Sequence, residues 1–237
     1  MYFNYGYLLF MLPALIFGII AQVMVKLSYS KYSKISSKRG LTGMQAAQEV
    51  LKANGVSGVT IVPVSGELTD HYDPKTNEIR LSQGVYGSAS IAAVGVACHE
   101  AGHAVQYAKQ YAPIKLRAAV IPVCRVGSFL GPLLVIAGFF ISYAAENVGP
   151  EIGNALYLSG IILFATVALF HLITLPVELD ASNRAIKSIS ASGTLDSEEV
   201  GGAKKVLTAA ALTYVAALAT SILQIVYYAS RFRPRSR

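Results

Sequence analysis

Four stretches of this chain, Met1 to Val25, Val126 to Ala145, Ile152 to Val177 and Val206 to Ser230, contain no Asp, Glu, Lys or Arg. A helix needs about 20 predominantly apolar residues to cross a hydrocarbon core, and each stretch meets that length. The fourth, rich in Ala and Thr, also reads as a helix buried within protein. The whole chain agrees, being 54% hydrophobic and 14% charged, where soluble domains carry about a quarter charged residues. No basic residue precedes the first apolar run, whereas Lys26, Lys31 and Lys34 follow it, so it reads as a retained anchor rather than a leader. Tyr2, Tyr5 and Tyr7 at one end and Tyr29 and Tyr32 beyond the other match the aromatic enrichment of membrane interfaces.

Residues 26–118 have a different character. Thr42 to Gln45 forms a capping box, and Asn54-Gly55 closes the helix it opens. Val59 to Val64 reads as a strand, confined to an edge by Pro63. Asp70 to Asn77 reads as a polar turn, and Glu78 to Ser82 alternates like the second strand of a hairpin. Cys98 and Cys124 show no disulfide or metal spacing.

The chemistry concentrates in His99-Glu100-Ala101-Gly102-His103. On a helix the two imidazoles stand at i and i+4 on one face, where they can bind one metal ion, and Glu100 lies beside them as a base. The neighbours Ala92, Ala93, Val94, Val96, Ala97, Ala104 and Val105 are small or apolar, so the cluster is buried and needs a strong partner to offset its desolvation. His71 and Asp73 are too few for a second metal site, and turn chemistry explains them.

A third ligand must lie on the same side of the membrane as this motif. The second and third apolar stretches form a hairpin that leaves and returns, and at the return stands Leu175-Pro176-Val177-Glu178-Leu179-Asp180. This segment reads as a helix started by its proline. Glu178 completes a His2Glu site with an open fourth position. Asp180 is its rival, about 200 degrees round the helix, so only one of the two carboxylates points into the site. His171, inside the third stretch, is an ionisable group in a membrane span and a secondary functional candidate. Asp196, Glu198 and Glu199 fit the start of a further helix.

The reading is thus a mainly α polytopic membrane protein with about four transmembrane helices and a small α+β zincin-like region built from the HExxH helix and a hairpin. Along the chain it runs as an anchor (1–25), a membrane-associated catalytic region (26–118), spans at 126–145 and 152–177, a third-ligand helix and loop (178–205), a span or buried helix (206–230) and a basic tail (231–237). Five basic residues from Lys26 to Arg39, with Arg184, Lys187, Lys204 and Lys205, put the site on the cytoplasmic face, while Glu146 and Glu151 mark the opposite hairpin tip. Arg231, Arg233, Arg235 and Arg237 conflict with that orientation if the fourth stretch crosses. The net charge of +7 also suits anionic lipid headgroups. Nothing in the pattern points to nucleic acid.

Several segments together carry a family resemblance: Leu68 to Pro74, Arg80 to Ser82, Ala97 to Gln106, Pro176 to Ser182 and Ala209 to Ala217. In this order they resemble the bacterial YugP-type membrane zinc metallopeptidases, distantly similar to the HtpX and CAAX-prenyl endopeptidase group. The resemblance implies a Zn2+ endopeptidase of the bacterial inner membrane acting on protein or peptide substrates. That group draws its third ligand from a Glu-x-x-x-Asp helix; Glu178 matches the glutamate, but Ser182 stands at the aspartate position. The expected reaction is zinc-assisted peptide hydrolysis with Glu100 as general base, and Tyr214 or His71 as the oxyanion donor. A zinc-binding scaffold and a metal transporter are the competing readings. The first would want four protein ligands, and the second more polar residues within the spans.

Overall fold

The computed structural model describes residues 5–144 and 150–232. Tyr2, Glu146, Arg233, Arg235 and Arg237 lie outside the described residues. In chain order the elements are α1 (Tyr5–Tyr32), α2 (Gly43–Ala53), β1 (Thr60–Val64), β2 (His71–Asp73), β3 (Glu78–Ser82), α3 (Gln83–Tyr86), α4 (Ile91–Ala108), α5 (Ala112–Ala144), α6 (Pro150–Ser192) and α7 (Ser197–Arg231). Helices α1, α5, α6 and α7 are each long and apolar enough to cross a membrane.

Contacts divide the chain into two compact units. One holds the described residues of 1–19, 116–174 and 214–237; the other holds Ile20–Lys115 and Leu175–Thr213. In the first, glycines let helices meet backbone to backbone. A Cβ on Gly138 of α5 would stand 2.4 Å from the Tyr157 nitrogen of α6, and one on Gly160 would stand 2.6 Å from the Val135 nitrogen. Small residues bring membrane helices together because lipid supplies no hydrophobic drive for them to associate. Tyr157 donates from its hydroxyl to the Tyr228 carbonyl at 3.0 Å. His171 belongs to this unit; its ring meets Phe170, and its buried Nδ1 has no hydrogen-bond partner among the described residues.

The second unit wraps a small sheet and α2 around α4. Thr42 caps α2 reciprocally with Gln45, and Asn54 closes it ahead of Gly55 at φ +69°, a left-handed turn that glycine adopts without strain. Ser90 caps α4, its Oγ accepting from the Ala93 amide at 3.2 Å. Ile79, Leu81, Val85, Val94, Ala97, Cys98, Ala101 and Ile189 form a fully enclosed core. Burial pushes the Cys98 thiol up, as suits a packing residue.

Three sequence expectations change here. The sheet order is β1-β3-β2, with β1 parallel to β3 and β2 antiparallel to it. The hairpin is therefore β2–β3, and part of the segment read as a turn is a strand. Only Pro74 to Asn77 turn, held by the Asp73 carboxylate accepting from the Lys75 amide at 2.9 Å. Pro63 does sit on an edge strand.

Secondly, Pro176 starts no helix: it lies inside the 43-residue α6, which runs on to Ser192. Proline removes a single donor there, and long apolar helices tolerate that loss. A helix-start dipole therefore has no part in placing Glu178. Thirdly, α5 begins at Ala112, well ahead of its uncharged stretch, and passes through Pro122 and Pro132. The acidic start of α7 is as expected: Asp196 Oδ1 accepts from the Glu198 and Glu199 amides at 3.0 and 2.9 Å.

Candidate metal centre

His99 and His103 stand on one face of α4, ring centroids 4.8 Å apart. Glu178 of α6 meets both, its Oε2 3.2 Å from His99 Nε2 and 3.4 Å from His103 Nε2. The three residues' ligand atoms lie within 4.8 Å of one another, positioned to bind a metal ion. Tetrahedral zinc with bonds of about 2.0–2.1 Å sets its ligand atoms roughly 3.3–3.4 Å apart, which the two Nε2 to Oε2 distances match. Glu178 is 2% exposed, too deeply placed to be left without a cation.

The hydrogen bonds around the rings decide which nitrogen faces the site. Gln106 is fully buried. Its amide nitrogen donates to the Val177 carbonyl and to Asp180 Oδ2, both at 2.8 Å. These two acceptors fix the amide orientation, so the oxygen is what lies 3.0 Å from His103 Nδ1. An oxygen there accepts, which requires the proton on Nδ1 and leaves the lone pair of a neutral ring on Nε2. That lone pair then faces a carboxylate oxygen, and two acceptors at contact call for a cation between them. His99 Nδ1 lies 3.1 Å from Ser182 Oγ, a hydroxyl that orients the ring and can either accept from it or donate to it.

Without a metal, a proton on His103 Nε2 fills the place of that cation. Burial works against charge on His103, yet the hydrogen bond to Glu178, the charges of Glu100 and Glu178, and the bond to Gln106 outweigh it and lift the imidazole above its ordinary range. Glu100, 8% exposed, is thus close enough for its charge to act on His103.

Asp180 does not join the cluster. Its carboxylate accepts from Gln106 and, at 2.5 Å, from Arg184 Nε, and the Arg184 guanidinium lies over the Tyr111 ring. Nor does His71 join: it is exposed on β2, Nδ1 2.7 Å from its own Thr69 carbonyl. Tyr214 lies half-buried on α7 in the other unit. The residues that sequence reasoning missed are Gln106 and Arg184. Both left a trace, Gln106 as a polar residue three after His103 in an apolar helix, Arg184 as an i+4 partner for Asp180.

Residues 7–233 match the family model described as "Putative neutral zinc metallopeptidase". The chain belongs to this family. It is also 42% identical over 212 residues, 90% of each chain, to the "Putative membrane protease YugP" of Bacillus subtilis (strain 168). No solved structure matches it. Membership in a zinc peptidase family and the His99, His103, Glu178 geometry thus concur on a zinc ion at this place.

Proposed function

We propose that the protein is a membrane endopeptidase whose zinc is held by His99, His103 and Glu178 and whose general base is Glu100. The observation carrying this reading is the convergence of two oriented Nε2 atoms on Glu178 Oε2, with the Glu100 carboxylate beside them on α4. Zinc bound there supplies Lewis acidity, lowering the pKa of a water toward about 7 and polarising a carbonyl oxygen. Glu100 takes the proton of the attacking water and returns it to the leaving amine. Gln106 and Ser182 keep both imidazoles turned so that their Nε2 atoms serve as ligands.

A substrate strand is accommodated by the β2–β3 hairpin. Strand β2 is an edge of the sheet, and its Tyr72 ring touches Tyr107 of the catalytic helix at 5.5 Å. Adding a peptide strand there gives main-chain hydrogen bonds without dictating side chains. The oxyanion donor is Tyr214 or His71, separated by comparing kcat of Tyr214→Phe and His71→Ala. Among the described residues three side chains could hold the ion, which would leave a position open for the reaction and favours a catalytic site over a structural one. By the charge of its flanking loops, the catalytic unit lies on the cytoplasmic side of a bacterial inner membrane.

Metal removal tests the assignment. Chelation of the purified protein in detergent abolishes cleavage of casein, and stoichiometric zinc restores it. Cleavage that persists in metal-free protein contradicts the reading.

A further inference from the structure

Beyond its proposed ligands, the centre contains a polar chain that ends on the Asp180–Arg184 ion pair. The Asp180 carboxylate accepts from Gln106 Nε2 at 2.8 Å, and Gln106 Oε1 meets His103 Nδ1 at 3.0 Å. Gln106 is fully buried and its amide has no freedom to flip, because the Val177 carbonyl occupies the same nitrogen. Asp180 is in turn fixed by Arg184, which is braced on Tyr111. At the equivalent place His99 Nδ1 meets the neutral Ser182 hydroxyl, its one partner there among the described residues. The two imidazoles are therefore supported unequally, one by a neutral hydroxyl, the other by an amide backed by a carboxylate.

We infer that Gln106 is a positioning residue that relays the Asp180 charge to His103, and that this relay sets the affinity of the centre for zinc. The inference rests on the proposed zinc site. An amide polarised by a carboxylate on its nitrogen side is a better acceptor on its oxygen side. That makes the His103 ring a stronger donor of its Nε2 electron pair and locks its rotation. Partners of this kind change metal affinity by about 10–100-fold. The carboxylate that supports the metal-binding ring thus comes from Asp180, reached through an amide, rather than from the position of Ser182.

The test is zinc affinity of the full chain in detergent micelles, by competition with a chromophoric chelator. The proteins compared are wild type, Gln106→Leu, Asp180→Asn and the double variant. The relay predicts that each single variant binds zinc about 10–100-fold more weakly, and that the double variant is no weaker than Gln106→Leu alone. It also predicts altered visible bands for the cobalt-loaded Gln106→Leu protein, a readout of ligand-field geometry that general destabilisation would not shift. Asp180→Asn keeps the volume and removes the charge while its amide oxygen can still accept from Gln106 and Arg184 in the place of Oδ2, so it decides the matter if Gln106→Leu does not fold. Wild-type affinity in Asp180→Asn, or additive losses in the double variant, overturns the relay. Failure of the wild-type protein to bind zinc refutes the metal site itself.

Discussion

A methyl group placed on Gly102 would stand 2.5 Å from the carbonyl oxygen of Ala181, and 3.2 Å from its Cα. At this point α4 and α6 meet backbone to backbone, and it is this approach that lets Glu178 reach both His99 and His103. Glycine is required there by proximity, since the position is helical and needs no unusual φ.

Gly102→Ala therefore forces the two helices apart. Overpacking of this kind costs about 1–3 kcal/mol, and here it also pulls Glu178 from the imidazoles. The expected result is a lower thermal midpoint together with loss of tight zinc binding, read by melting in detergent and by metal analysis.

Glu178 and Asp180 are two residues apart and have different tasks. Glu178→Ala removes one of the three proposed ligands, and the expected outcome is no stoichiometric zinc after dialysis. Asp180→Ala retains it with affinity lowered about 10–100-fold. Loss of zinc in Asp180→Ala alone would reverse the assignment.

Zinc binding should depend on pH in a particular direction. In the metal-free protein the His103 imidazole is raised above its ordinary value, with burial opposing and the bond to Glu178 and the two carboxylate charges prevailing. For a raised group, the bound proton stabilises the fold fully below the unfolded value, and this is lost as pH rises through the folded value. Zinc competes with that proton. Apparent zinc affinity therefore climbs as pH rises through the near-neutral range and levels off above the raised value. Metal-free stability moves the opposite way. Calorimetric titration across pH, with melting of the chelated protein, checks both signs.

Asp70 holds the end of the sheet. Its Oδ1 accepts from the Ser82 amide at 2.7 Å and the Ser82 hydroxyl at 3.0 Å, and Ser82 is 2% exposed. Asp70→Ala leaves buried donors unpaired, a loss of about 1–3 kcal/mol. A lowered thermal midpoint without loss of bound zinc is the expected outcome.

What the sequence revealed follows the range of the forces involved. Local rules placed the Thr42 cap, the Asn54-Gly55 stop and the i, i+4 pairing of His99 with His103, because each depends on residues within one helical turn. Membrane length rules found the apolar helices, and the hairpin between the second and third stretches led to Glu178. Local rules failed at Pro176, where a start signal was overridden by a helix already formed. They failed again at β1, whose parallel partner β3 lies beyond β2. The polar chain through Gln106 was invisible for the same reason. It joins residue 106 to residue 180, and only the packing of α4 on α6 brings them together.

Glu100→Gln is the most direct test of the account, because it removes the proposed base while sparing every proposed ligand. Zinc content and casein cleavage are measured on the same purified preparation. The account predicts wild-type zinc content with hydrolysis reduced by at least about 10²–10⁴-fold. A variant that binds zinc normally and cleaves at the wild-type rate would contradict it.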